Sequence, residues 1–188
     1  MSRYVVLLRG INVGGKNPVS MARLRAVLED LGFTGVATYI ASGNAIVEAE
    51  GPAAEIGALI EEALPREFSL HDELVRVLVL SQAQLAAVVD NRPEGFGSQP
   101  DRYHSDAVFL IGIEVAAAMT AFNPREGVDA VWAGDGVVYS QRLSAERTKS
   151  RLSKVMESPL YKSMTIRNWN TTTTLLRMLQ ARDVEPGA

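Results

Sequence analysis

The chain contains no cysteine, so it has no disulfide framework, no thiolate metal site and no thiol nucleophile. Histidine is scarce as well. His71 and His104 lack the spacing of metal ligands and read as ordinary surface or packing residues, so no metal is expected. No apolar run approaches the roughly 20 residues needed to span a bilayer, which leaves a membrane partner unexpected. Met1-Ser2-Arg3-Tyr4 runs directly into a strand-like segment without the layout of a signal peptide. A cytoplasmic location is the simplest expectation, and the lack of cysteine permits it.

What is present fits a folded α+β protein. Hydrophobic residues make up 47% of the 188 positions and charged residues 22%, a globular balance that argues against disorder. The length suits one substantial core or two small packed halves. A net charge of −3 conceals an asymmetry, because residues 142–167 hold seven Lys or Arg against two acids, a net +5. A basic segment on an acidic body can attract phosphate or nucleic acid, or can simply be a solvated face.

Hydrophobic periodicity orders the elements. Tyr4-Val5-Val6-Leu7-Leu8 reads as a buried strand. A helix then starts at Asn17-Pro18 or Ser20, with Met21, Leu24, Val27, Leu28 and Leu31 on one stripe, and Gly32 ends it. Strands at 36–40 and 45–47 flank a Ser42-Gly43-Asn44 turn. A helix over 52–64 follows, with Ile56, Leu59, Ile60 and Ala63 inward, and Glu73–Leu80 closes the half. This is the β-α-β-β-α-β order of ferredoxin-like units.

The remainder repeats that order. The pattern predicts a short helix at 82–90, a polar loop over 91–106, and a strand at 107–112. It continues with a helix at 114–121, strands at 128–133 and 137–142, a basic helix near 147–158, a strand at 163–167 and a last helix at 171–181. The expected division is a ferredoxin-like subdomain at 1–80, a linker at 81–106 and a second subdomain at 107–188. One mixed sheet with helices on one face is the alternative.

Arg9-Gly10-Ile11-Asn12-Val13-Gly14-Gly15-Lys16-Asn17 is the most informative segment. It matches the spacing of a nucleotide P-loop, but Asn17 stands where Ser or Thr would reach Mg²⁺, and Pro18 follows at once. What remains is an anion-binding loop: glycine N–H groups can surround one anion, with Arg9 and Lys16 adding charge-assisted bonds. A sharp crossover that needs positive φ is the rival reading of Gly10, Gly14 and Gly15. In a ferredoxin-like unit the Ser42–Asn44 turn would lie beside this loop. Arg167-Asn168-Trp169 precedes Asn170 or Thr171 as the expected cap of the last helix. It reads either as a surface for a flat or anionic partner or as a core anchor through Trp169. Ser105, His104 and Asp106 hold the residue types of a triad, but adjacency in sequence does not create its geometry.

Three segments together resemble the domain of unknown function 1697 family of uncharacterised bacterial proteins. They are Leu8–Asn17, Thr38–Asn44 and Thr165–Thr171, and the family pattern carries Gln where this chain has Ala41. The resemblance implies paired ferredoxin-like subdomains and no established activity. The functional expectation is therefore a pocket for a small anionic or phosphate-bearing ligand, formed by Arg9, Gly10, Asn12, Gly14, Gly15, Lys16 and Asn17. Ser42, Asn44, Arg167, Asn168 and Trp169 are its expected neighbours. No catalytic group and no cofactor is assigned. A nucleic-acid module using residues 142–167, or a protein-interaction domain, is the alternative.

Overall fold

The computed structural model describes residues 1–71 and 75–181. Its contacts fall into two units, one formed by Met1–Ala86 with the chain from Thr174 on, the other by Ala87–Thr173.

In the first unit β1 (Ser2–Leu8), β2 (Thr34–Tyr39), β3 (Asn44–Ala49) and β4 (Val77–Ser81) form a sheet in the order β2-β3-β1-β4. Every pairing is antiparallel. The two crossovers are α1 (Met21–Asp30) and α2 (Ala53–Glu67). Strand alternation turns Tyr4, Val6 and Leu8 toward these helices, where they meet Leu24, Leu28, Ile56 and Ile60. Complete burial of a leucine such as Leu24 or Leu28 contributes about 2 kcal/mol. Ser20 caps α1 through its Oγ, which accepts from Arg23 N–H. Leu59, expected inward, is 42% exposed, because α2 turns Ile56, Ile60 and Leu64 to the sheet instead. Of the strand expected at Glu73–Leu80, Glu73 and Leu74 lie outside the described residues, and β4 begins at Val77.

The chain continues through α3 (Gln82–Asp90) into the second unit. There β5 (Tyr103–Leu110), β6 (Asp129–Ala133), β7 (Val137–Leu143) and β8 (Met164–Asn168) take the order β6-β7-β5-β8. This is the same antiparallel arrangement with the strands renumbered. Each half is thus ferredoxin-like, and two four-stranded sheets replace the alternative of one mixed sheet. The first crossover is α4 (Val115–Met119), shorter than the predicted 114–121, and α5 (Trp169–Gln180) follows β8.

The basic helix predicted near 147–158 does not form. Three 3-10 turns stand there instead, Ser144–Lys149, Leu152–Glu157 and Pro159–Ser163. Serine hydroxyls compete for backbone donors: Ser150 Oγ accepts from Leu152 N–H and Ser158 Oγ from Leu160 N–H. Asp129 Oδ2 draws the Arg151 N–H away from any helical carbonyl, at 2.8 Å. Tertiary bonding thus overrides the predicted helix. Leu152 and Val155 are still buried, Val155 within the second core beside Val108 and Met164. Among the described residues, no helix is long and apolar enough to cross a membrane.

Candidate functional site

The glycine loop closes on itself. Val13 and Lys16 form an isolated bridge with Lys16 N–H donating to Val13 O at 3.0 Å, and the two central residues hold positive φ, Gly14 at 57° and Gly15 at 76°. Positive φ at both central positions is the signature of a type I′ turn, which the Gly-Gly pair satisfies at no steric cost. The tip is exposed from Asn12 to Lys16.

Below the tip, the asparagines are committed to the chain. Asn12 donates through Nδ2 to Val19 O (2.9 Å) and Ala41 O (2.8 Å), and its Oδ1 accepts from Val19 N–H (2.8 Å). Asn17 donates to Gly10 O (3.0 Å) and accepts from His71 N–H (2.8 Å). Asn44, fully buried, donates to Tyr39 O and Ser42 Oγ, both at 3.0 Å. The Ser42 turn does lie beside the loop, since Leu8 N–H donates to Gly43 O at 2.8 Å and Asn12 reaches Ala41. These amides tie two loops together. Their bonding capacity is largely used in doing so. Arg9 is half-buried, with its N–H on Arg76 O, and Lys16 is exposed.

Arg167, Asn168 and Trp169 belong to the second unit. Arg167 is not a surface cation: 6% exposed, its Nη1 donates to Thr165 Oγ1 and Ile166 O, both at 2.9 Å. Burial pushes its guanidinium down to about 10, which still leaves it charged at neutral pH. Asn168 caps α5, its Oδ1 accepting from Thr171 N–H at 2.7 Å, so the helix starts at Trp169 and the cap is neither Asn170 nor Thr171. Trp169 packs edge-to-face on Phe96 (5.1 Å between centroids) and Tyr139 (6.4 Å), and it also lines a cavity. It is both anchor and wall.

That cavity, about 380 Å³, opens where β8 gives way to α5 and β5 runs on past it. Its lining is Gly97, Pro100, Tyr103, His104, Ser105, Asn168, Trp169, Asn170 and Thr173. Ser105 is 8% exposed, and its Oγ has no hydrogen-bond partner among the described residues. His104 Nε2 lies 3.1 Å from Asp106 Oδ2. Burial pushes the Asp106 carboxyl above its ordinary value, with His104 and Arg142 working the other way. The adjacent Ser, His and Asp are therefore no triad, since His104 Nε2 faces Asp106 and the Ser105 hydroxyl has no partner among the described residues.

Ser105, His104 and Tyr103 were expected in a loop, because β5 starts four residues before its apolar run. Tyr103 and Asp106 are half-buried, His104 exposed and Ser105 buried, a pattern that Tyr-His-Ser-Asp does not display as apolar alternation in the sequence. Of the seven cations in 142–167, Arg167 is buried, Arg142 is partly buried beside Asp106 and Asp129, and Lys149 pairs with Glu146 at 2.7 Å. No group of three or more His, Cys, Asp or Glu suited to a metal ion occurs among the described residues.

The model of a family described as Protein of unknown function (DUF1697) matches residues 1–139. The chain belongs to that family. Among solved structures, the conserved bacterial protein SP0830 from Streptococcus pneumoniae is similar over 95% of this chain and 98% of its own. The TM-score is 0.81 at 28% sequence identity. Comparison with curated proteins finds no match.

Proposed function

We propose that the protein binds a small polar ligand in the cavity at the start of α5. One observation carries the reading: Ser105 lines that cavity, and its buried hydroxyl has no hydrogen-bond partner among the described residues. Native chains satisfy the great majority of buried polar groups, and leaving one unmade costs about 1–3 kcal/mol. A hydroxyl kept in that state beside a cavity of about 380 Å³ is a group awaiting a partner. Trp169, Tyr103 and Pro100 add flat, largely apolar walls, while Asn168, Asn170 and Thr173 add polar edges. No catalytic step is assigned.

The anionic ligand expected from the sequence thereby moves from the glycine loop, whose asparagines hold the chain, toward Asn168 and Trp169. Arg9 and Lys16 keep a narrower role as cations near the loop tip. A thermal-shift screen of carboxylates, phosphosugars and nucleotides tests the assignment. Stabilising compounds are expected to lose their effect in Ser105→Ala and to keep it in Lys16→Ala. The opposite pattern would return the site to the loop. The nucleic-acid alternative predicts binding that weakens steeply with salt.

A further inference from the structure

We infer that a second cavity, over β6 and β7, takes a flat uncharged heterocycle whose N–H and carbonyl edge pairs with the Gln141 amide. This site is separate from the one beside Ser105 and does not rest on it.

Strand register builds its floor. Ala130 stands opposite Gln141, Trp132 opposite Tyr139, and Leu143 opposite Tyr103. Paired residues share a sheet face and alternate along each strand, so these side chains all lie on one side. Glu94, Gly95 and Gln99, from the segment before β5, line the same space, a cavity of about 420 Å³. That volume falls within the roughly 300–1,000 Å³ of ordinary small-molecule sites.

Gln141 is 8% exposed, and among the described residues its amide makes no hydrogen bond. Ser105, its neighbour across β5, does not supply one, since the Ser105 Oγ is itself unpartnered. The unpartnered atoms sealed from solvent are Arg3 Nε, Ser105 Oγ, Asp129 Oδ1 and Arg142 Nε, and the Gln141 amide is not one of them. It therefore reaches accessible space, and the cavity it lines is that space. A carboxamide sets donors beside an acceptor. Its complement is an acceptor beside a donor, the edge that lactams and nucleobases present.

The walls set the rest of the class. Trp132, Tyr103 and Leu143 offer flat, largely apolar surface, and Phe96 braces Trp132 edge-to-face with 5.9 Å between centroids. Asp129 also lines the cavity, but it pairs with Arg142 in the register, so its side chain lies on the opposite sheet face. There its Oδ2 accepts from Arg125 N–H (2.9 Å) and Arg151 N–H (2.8 Å). No Lys, Arg or His is among the described lining residues. Glu94 is exposed, and exposed Arg102 stands 5.1 Å from the Tyr103 ring centroid. One solvated acid and one solvated base select neither sign of charge.

Isothermal titration of the full chain with four bicyclic rings of similar size tests the inference. They are carbostyril (a neutral lactam), N-methylcarbostyril, the cation N-methylquinolinium and the anion naphthoate. Carbostyril is expected to bind about tenfold more tightly than N-methylcarbostyril, which keeps the ring and carbonyl but lacks the N–H donor. Gln141→Leu keeps the bulk and removes the amide, and it is expected to bind the two lactams equally and more weakly. The indole Nε1–H signal of Trp132 reads the location in the unaltered chain. Trp132 lines this cavity and Trp169 does not, so carbostyril is expected to shift Trp132 alone. Carbostyril that does not bind, that leaves the Trp132 signal fixed, or that is preferred as strongly in Gln141→Leu overturns the inference. Equal binding of the two lactams by the wild type also overturns it, as does tighter binding of the quinolinium or the naphthoate.

Discussion

Gly97 and Trp169 stand so close that a β-carbon on the glycine would fall 2.1 Å from Trp169 Cδ1 and 2.4 Å from Nε1. Gly97 also holds φ at 72°, a conformation L side chains rarely adopt. Gly97→Ala therefore meets two penalties, overpacking against a ring and backbone strain. It is expected to destabilise by about 3 kcal/mol, read by urea denaturation. Adding Trp169→Leu is expected to restore the packing part and leave the strain. Strictly additive losses would show that the two residues are not coupled.

The buried Ser105 hydroxyl makes the opposite prediction. Ser105→Ala removes an unsatisfied polar atom without opening a large hole, so the free protein is expected to be as stable as wild type or slightly more so. A loss of about 2 kcal/mol or more would mean that Ser105 Oγ has an internal partner.

Asn12 separates a structural loop from a binding loop. Asn12→Ala leaves Val19 N–H, Val19 O and Ala41 O without their side-chain partner and is expected to cost about 2–3 kcal/mol. Lys16→Ala at the exposed tip is expected to stay within about 0.5 kcal/mol of wild type. Equal effects in thermal denaturation would contradict the role given to Asn12.

Ile40 is a β-branched residue at φ 47° with 49% of its surface exposed, so it carries strain without the compensation of burial. Ile40→Asn places a residue that tolerates this conformation and is expected to stabilise by about 1 kcal/mol, seen as a higher Tm. A lower Tm would mean that the Ile40 side chain contributes packing worth more than the strain.

Asp106 and Asp129 respond to pH in opposite directions. Burial raises the folded value of Asp106, so its contribution to stability is full below the ordinary carboxylate range and is lost as pH rises through the raised value. For Asp129, partial burial acts upward, but N–H groups of Arg151 and Arg125 and the Ser150 side chain hold the net value below the ordinary one. Its contribution is present above that range and is lost as pH falls through the lowered value. Relative to wild type, Asp106→Asn is expected to be more favourable near pH 7 than near pH 4, and Asp129→Asn more favourable near pH 3 than near pH 7, in urea titrations. A pH-independent difference for either variant would contradict its cause.

The fold was legible where hydrophobic period and turn chemistry agreed. Leu24, Val27 and Leu28 on α1 and the buried run of β1 carry enough apolar surface to fix a helix and a strand by themselves. Residues 144–163 were not legible, because serine hydroxyls and Asp129 capture backbone donors that only the folded chain brings into reach. At the site, Asn168 and Trp169 were visible as an unusual polar-aromatic pair, but the segment hid that Arg167 turns inward. Ser105 stood out only as one of three adjacent triad residue types, because a single serine in a polar run carries no binding signal until a cavity forms around it.

The central claim is that a ligand occupies the space beside Trp169. Its most direct test follows the two indole Nε1–H signals by NMR while the most stabilising compound of the thermal-shift screen is titrated into the full chain. Trp169 lines the cavity and Trp132 does not, although both ring systems pack on Phe96. The account predicts a saturable shift of the Trp169 signal, with Trp132 little changed, and loss of that shift in Ser105→Ala. A Trp169 signal that stays fixed, or moves equally in wild type and Ser105→Ala, would contradict it.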